Sequence, residues 1–383
     1  MGKLMMTRRA FAKAAAVSGA AIALGTGATT SALAETTEAA KTQSADSQGV
    51  KKVRSCCRGC GKVECGVWVY VQDGKVIRTE GDEECFLTMG NHCSKGQASI
   101  QAAYHPDRIK YPMKRAKEDR GKDAWEQITM DEAYELCIQM VKDTTEKYGA
   151  KSICTGAGTG RNATWQSNVL GQGAFGTPND NCGMLAGNCC YTPRRQGMNA
   201  VLGDTFIADC GQLHEARFDH PEYRRPDLFI IWGNNPLRAN ADGFYGHWII
   251  DCMRRGSELL VIDPQVTWLS AHAKLYIQVR PGTDAALALA IGHVMIEEGL
   301  YDHEFVNLWC YGFDEYKERV REWTPERAAE ICWCPAEKIY AAARLIGTAG
   351  VTTLQWGVAF DQTKWANGTA HAAVAVQALT GNI

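Results

Sequence analysis

Four cysteines, Cys57, Cys60, Cys65 and Cys93, stand in the pattern C-x2-C-x4-C-x27-C, closing in Cys93-Ser94-Lys95-Gly96. Three clustered thiols and a distant fourth suit the corners of a cubane, so the spacing predicts a [4Fe–4S] cluster that carries electrons. A structural zinc site more often joins two C-x2-C pairs; zinc and a disulfide pair are the alternatives. Cys56 is a second choice for the first ligand, and Cys85 reads as a spare thiol. Lys95 is either a solvated lysine or a positive charge that stabilises the reduced cluster and bridges to a second cofactor.

The elements that must position these thiols follow from the flanking sequence. Between Lys52 and about Arg108 the chain reads as a small β-rich domain. The apolar stretch 67–71, the hairpin signal Asp73-Gly74 and the returning stretch 75–78 account for the wide gap before Cys93. After Trp125 the texture becomes α/β. Thr129 and Glu132 form a capping box, and Ala133, Leu136, Cys137, Met140 and Val141 fall on one helical face that ends before Gly149. A short strand is expected around Ser152-Ile153-Cys154. The turn after it, with Gly156, Gly158 and Gly160, offers backbone N–H groups to a phosphate, although it is not G-x-G-x-x-G.

A second βαβ unit is clearer. Leu228-Phe229-Ile230-Ile231-Trp232 reads as a buried strand ending at Gly233-Asn234-Asn235-Pro236, with a helix over about 243–255 closed by Gly256. The strand 259–262 ends at Asp263-Pro264-Gln265-Val266-Thr267. The strand 275–279 runs into Arg280-Pro281-Gly282-Thr283-Asp284, where Thr283 or Asp284 caps the next apolar helix. Ligands of doubly wound sheets collect at the carboxyl ends of strands. The groups at these three ends can hydrogen-bond a nucleotide and its diphosphate, and no glycine fingerprint at Gly233 supports an ordinary NAD site.

At the amino end, Arg8-Arg9 precedes a weakly apolar Ala/Gly-rich run and a small-x-small site at Ala32-Leu33-Ala34. This pattern predicts a twin-arginine export signal over 1–34, a route for chains folded around a cofactor, and a disordered linker over 35–51. The expected location is periplasmic or the outer face of the cytoplasmic membrane. Export of a folded chain also explains how sixteen cysteines need not mean a disulfide scaffold. A net charge of −2 over 383 residues gives no basic stripe for nucleic acid.

Taken together, the leader, the cysteine motif followed by x-K-G, W-G-N-N-P, I-D-P-x-x-T and R-P-G-T-D-A-A-L resemble the molybdopterin oxidoreductases of the dimethyl-sulfoxide-reductase superfamily. The resemblance runs from about Val53 to Ile383. The x4 gap between Cys60 and Cys65 is similar to the acetylene-hydratase-like and catechol-dehydroxylase-like branches. The resemblance implies bis(molybdopterin guanine dinucleotide) holding molybdenum, or tungsten. Trp232, Gly233, Asn234, Asn235, Asp263, Gln265, Thr267, Arg280, Gly282 and Asp284 would line one guanine-nucleotide arm, with Gly158 near the other pterin. Lys95 would lie between cluster and pterin. The metal's thiolate would come from Cys190, with Cys189 close behind; two buried thiols or a vicinal disulfide is the alternative for that pair. His105, Arg161, Tyr191 and Arg194 are possible pocket residues whose spacing assigns no acid or base role.

The implied fold is α/β: a β-rich [4Fe–4S] domain over 52–108 and two doubly wound pterin-binding domains. The first comprises 109–185 with 350–383 and the second 186–349. The resemblance further implies removal of oxygen or hydroxyl from a small substrate, with a catechol as the leading candidate, electrons entering through the cluster. Implied partners are a ferredoxin-like electron-transfer subunit and a membrane anchor. A hydratase or transhydroxylase would use the same cofactor without net electron flow. A C-terminal β-barrel domain that relatives place over both pterins is expected to be absent, so a truncated, inactive cluster-binding chain is the other expectation.

Overall fold

The computed structural model describes residues 49–59, 65–85, 88–156, 164–179, 191–205, 221–239 and 244–383. The described residues form two compact units, one of 49–53 with Val69–Arg78, the other of Arg54–Trp68 with Thr79–Ile383.

Strands β1 (Lys51–Cys57), β2 (Cys65–Gln72) and β3 (Lys75–Gly81) make a sheet in that order. Asp73 and Gly74 turn the hairpin with φ of 50° and 75°, the left-handed pair that a two-residue connection needs to match strand twist. A one-turn helix, α1 (Ser94–Gln97), follows Cys93.

Helix α2 (Met130–Tyr148) begins where the sequence signals it: Thr129 Oγ1 accepts the Glu132 N–H at 3.1 Å, and Gly149 ends the helix. None of its residues is buried. Leu136 and Met140, on the face expected to pack inward, are 46% and 68% exposed. The strand expected at 152–154 does not form. Ala150–Ser152 is a 3-10 turn, the Ile153 carbonyl accepts Thr177 Oγ1 at 2.6 Å, and Thr155 N–H donates to the Asn179 carbonyl. A loop, rather than a strand, satisfies this backbone.

The core is a parallel sheet of β4 (Leu228–Trp232), β5 (Glu258–Ile262), β6 (Leu275–Ile277) and β7 (Thr352–Trp356), in order β6–β5–β4–β7. Alternate side chains leave opposite faces. Phe229, Ile231, Leu259 and Val261 pack with Trp248, Ile249 and Cys252 of α3 (Phe244–Arg254). Leu228, Ile230, Trp232, Leu260, Ile262 and Ile277 pack with α4 (Asp284–Glu297), α5 (Pro325–Cys332), α6 (Ala336–Thr348) and α7 (Ala366–Leu379). Cover on both faces is the reason these strands read as unbroken apolar runs.

Pairing corrects the expected division at 350. Thr352 to Trp356 lies in parallel register with Leu228 to Trp232, so 350–383 completes the sheet of the 186–349 region. The helix Thr192–Leu202 packs on α7 so closely that a Cβ at Gly197 would lie 2.5 Å from Ala370 Cβ. No helix among the described residues is long and apolar enough to cross a membrane.

Candidate cofactor site at the strand ends

Three loops leave the carboxyl ends of β4, β5 and β6. Gly233 has φ 56°, donates its N–H to the Ile262 carbonyl at 2.8 Å, and would place a Cβ 2.8 Å from Ala359 Cβ. Both its backbone and its space therefore demand glycine. Asn234 and Asn235 are half-buried beside it. Asp263 accepts the Gln265 N–H at 2.7 Å; burial pushes its carboxyl up, and that hydrogen bond opposes the rise. Thr267 is spent locally, exchanging capping bonds with Ser270 at the start of the short helix Trp268–Ala271. Gln265 and Arg280 point to solvent.

The third loop is tied to the first. Trp232 Nε1 donates to Asp284 Oδ1 at 2.8 Å, with both side chains buried. Burial pushes the Asp284 carboxyl up, the Trp232 bond and the N–H groups of Asp284 and Gly282 pull it down, and the charge of Asp263 adds to the rise. Gly282 has φ 84°, and Thr283 Oγ1 donates to the Arg280 carbonyl at 2.7 Å. Trp232 and Asp284 thus hold the loops in register, with Asn234, Gln265 and Arg280 standing at the same strand ends. Such an edge suits ribose hydroxyls and phosphate oxygens.

On the cluster side, Cys57 ends β1 and Cys93 precedes α1. A Cβ at Gly96 would lie 3.4 Å from Cys57 Sγ and would collide with the His92 ring, so the turn after Cys93 closes directly over the Cys57 thiol. Burial holds the His92 imidazole below its usual range. Cys65 is buried on β2, and Gly66 N–H donates to Cys85 Sγ at 3.3 Å. Cys60 lies outside the described residues, and among those described no three His, Cys, Asp or Glu side chains gather as a metal site. Lys95 is exposed on α1. Asn91 Nδ2 sits 2.6 Å from His247 Nε2 on α3, and Met89 packs against the Phe229–Trp248 cluster, fastening the Cys93 segment to the parallel sheet.

Gly158, Arg161, Cys189 and Cys190 also lie outside the described residues. Just after them, Tyr191 is exposed, whereas Arg194 turns inward. Its Nε is 2.7 Å from Asp361 Oδ2, its N–H donates to Asp361 Oδ1 at 3.1 Å, and its Nη1 donates to the Trp356 carbonyl at 3.1 Å. Asp361 is a member of this neighbourhood that sequence reasoning missed; its only signal was a carboxylate in the apolar run Val358-Ala359-Phe360-Asp361. His105 is exposed beside Asp107.

Residues 108–378 match the molybdopterin oxidoreductase family, and residues 50–105 match the molybdopterin oxidoreductase Fe4S4 domain. The chain belongs to the molybdopterin oxidoreductases. The family's cofactors are molybdopterin and, in the amino-terminal domain, a 4Fe–4S cluster. The chain is similar to the dopamine dehydroxylase of Eggerthella lenta, with 37% identity over 81% of this chain and 28% of the relative. It is similar to the acetylene hydratase of Syntrophotalea acetylenica, with 29% identity over 85% of this chain and 43% of the relative. Among solved structures, the acetylene hydratase from Pelobacter acetylenicus superimposes with a TM-score of 0.70 at 27% identity, covering 86% of this chain and 43% of that one. The chain spans less than half the length of these curated relatives. The fold agrees with this membership: a β-rich amino-terminal region precedes the α/β domain.

The strand-end loops present donors of the kind a pterin nucleotide requires. On the cluster side the Gly96 turn lies close against the Cys57 thiol, while Cys57, Cys65 and Cys93 do not gather into a metal site among the described residues.

Proposed function

We propose that this chain belongs to a molybdopterin-dependent reductive dehydroxylase acting on a catechol. The observation that carries the reading is the convergence of the loops at Gly233, Asp263 and Arg280 on one edge of a parallel sheet. The likeness to dopamine dehydroxylase supports the substrate class. Cys57, Cys60, Cys65 and Cys93 would hold the [4Fe–4S] cluster, and the strand-end loops one arm of a bis(molybdopterin guanine dinucleotide). Cys190 would ligate molybdenum or tungsten, since a soft thiolate suits either metal. When bound, these groups supply two-electron transfer at a metal centre.

The chain's own residues position and tune. Gly233 and Gly282 let the backbone approach a ligand, Arg280 offers a fork of donors to phosphate, and the Trp232–Asp284 bond keeps the two loops in register. Lys95 places positive charge beside the cluster. Arg194, locked to Asp361, fixes the start of the helix that follows the Cys190 segment. Removal of one catechol hydroxyl takes two electrons and two protons and releases water. A ferredoxin-like subunit would supply the electrons, with a membrane anchor as a further partner. The arginine pair in the leader supports export by the twin-arginine route to the periplasm or the outer face of the cytoplasmic membrane.

The test is anaerobic purification followed by metal analysis and incubation with a catechol and reduced viologen. The reading expects iron together with molybdenum or tungsten, and donor-dependent loss of one hydroxyl. Iron without either heavier metal would refute it. A hydratase reading is favoured by the structural likeness to acetylene hydratase, and turnover without any electron donor would select it.

A further inference from the structure

Helix α5 ends at Cys332, and the next residue, Trp333, adopts φ 57° and ψ 34°. That position after a helix belongs by default to glycine, because an L side chain is crowded in left-handed backbone. Burial would be the ordinary reason to hold an indole there, yet Trp333 is 69% exposed. The strain is therefore sustained by the surroundings without a packed side chain to offset it, a pattern that points to function.

The surroundings are built to hold the turn against the third strand-end loop. Cys332 and Cys334, either side of the indole, are buried. Hydrogen bonding to Cys334 and then burial push the Cys332 thiol up, so it stays protonated, and its Sγ lies 3.5 Å from the Thr283 carbonyl that accepts from it. The Cys332 carbonyl accepts the Arg280 N–H at 2.9 Å. The Arg280 guanidinium carbon sits 4.4 Å from the centre of the indole ring. Two bonds thus stitch the Trp333 turn to the loop that carries Arg280, Gly282 and Asp284, and the cation backs an indole that remains open to solvent.

We propose that Trp333, backed by Arg280, is the stacking platform for the purine base of a nucleotide whose diphosphate runs along the strand-end loops. The proposal rests on the pterin-nucleotide reading above and adds the residue that grips the base. An aromatic face stacks any base. The guanidinium beneath it can turn its remaining donors to phosphate while keeping its ring contact.

The experiment uses the full chain with GDP and pyrophosphate as probes, read by equilibrium dialysis and by quenching of tryptophan fluorescence. Trp333→Gly and Trp333→Asn both suit left-handed backbone, so each should keep the far-ultraviolet circular dichroism and thermal midpoint of the parent. Each should bind GDP roughly 5- to 150-fold more weakly, the range for losing one base–aromatic stack. Pyrophosphate binding should be unchanged, and Trp333→Phe should restore most of the GDP affinity. Equal GDP affinity in parent and Trp333→Gly would overturn the platform. So would failure of the pterin-free parent chain to bind GDP, or a parallel loss of pyrophosphate binding in the variants. The cofactor reading is judged separately, by metal content and by the fluorescence of oxidised pterin released from the purified chain. Its failure and the platform's failure are thereby distinguishable.

Discussion

Replacing Arg194 by methionine tests how the helix after the Cys190 segment is anchored. Asp361 is 0% exposed and Arg194 18% exposed at the side chain, and Nε and Oδ2 are 2.7 Å apart. Methionine keeps the aliphatic stem and removes the cation, stranding a buried carboxylate. Breaking a buried pair by deleting one partner costs about 3–5 kcal/mol. The Arg194 N–H, which also bonds Asp361, survives the substitution and places the expected loss near the lower end, about 3 kcal/mol. Burial already pushes the Asp361 carboxyl up, with Arg194 opposing; without the guanidinium it rises further. A carboxyl whose folded value exceeds its unfolded value stabilises the native state less as pH rises through that window. The cost of Arg194→Met should therefore be full at neutral pH and shrink as Asp361 takes up a proton in acid. Urea unfolding followed by circular dichroism at several pH values measures both effects. Arg194→Met with Asp361→Leu should recover to within about 1 kcal/mol of the parent, since an apolar pair removes the stranded charge. A single-variant loss under about 1 kcal/mol, flat with pH, would refute the anchor, because no uncompensated charge would then be buried.

Two further outcomes follow from the same geometry. Gly96→Ala puts a methyl group into the His92 ring and against the Cys57 thiol; iron per chain should fall well below the parent's, and parent-level iron would show that the turn does not close on the cluster. Asp284→Asn keeps an acceptor for Trp232 but removes a carboxyl that burial pushes up. Compared with the parent, its stability should decline less as pH rises above the ordinary carboxylate range, and identical pH profiles by urea unfolding would refute the assignment.

Much of the sheet was legible because β4 and β5 are continuous apolar runs ended by Gly233 and Asp263, and a strand buried on both faces leaves that mark. Helix α2 was legible from Thr129, Glu132, its apolar spacing and Gly149, but that apolar face gave no warning that the described residues would leave it uncovered. The 152–154 stretch has strand composition, and its partner proved to be the loop at Thr177 and Asn179. The place of Thr352–Trp356 beside Leu228–Trp232 could not be read locally, because parallel pairing links segments with no sequence proximity. In the candidate site, residue types marked the loops. Which groups are spent on holding them, such as Trp232, Thr267 and Asp284, emerged only from their hydrogen bonds. Trp333 was invisible for a related reason: a tryptophan after a helix is unremarkable until its backbone sign is known.

The order of the parallel sheet also sets a schedule for synthesis. One edge of β4 is matched early, by β5, whose sequence follows soon after; the other waits for β7. At roughly 5–20 residues per second, a ribosome takes on the order of 6–24 seconds to travel from Trp232 to Thr352. During that interval the five apolar residues Leu228–Trp232 expose an unpaired ladder to whatever else is present. A nascent chain of this topology therefore leaves that edge open until β7 arrives, and the contact of the Gly233 loop with Ala359 and Phe360 forms only after that moment.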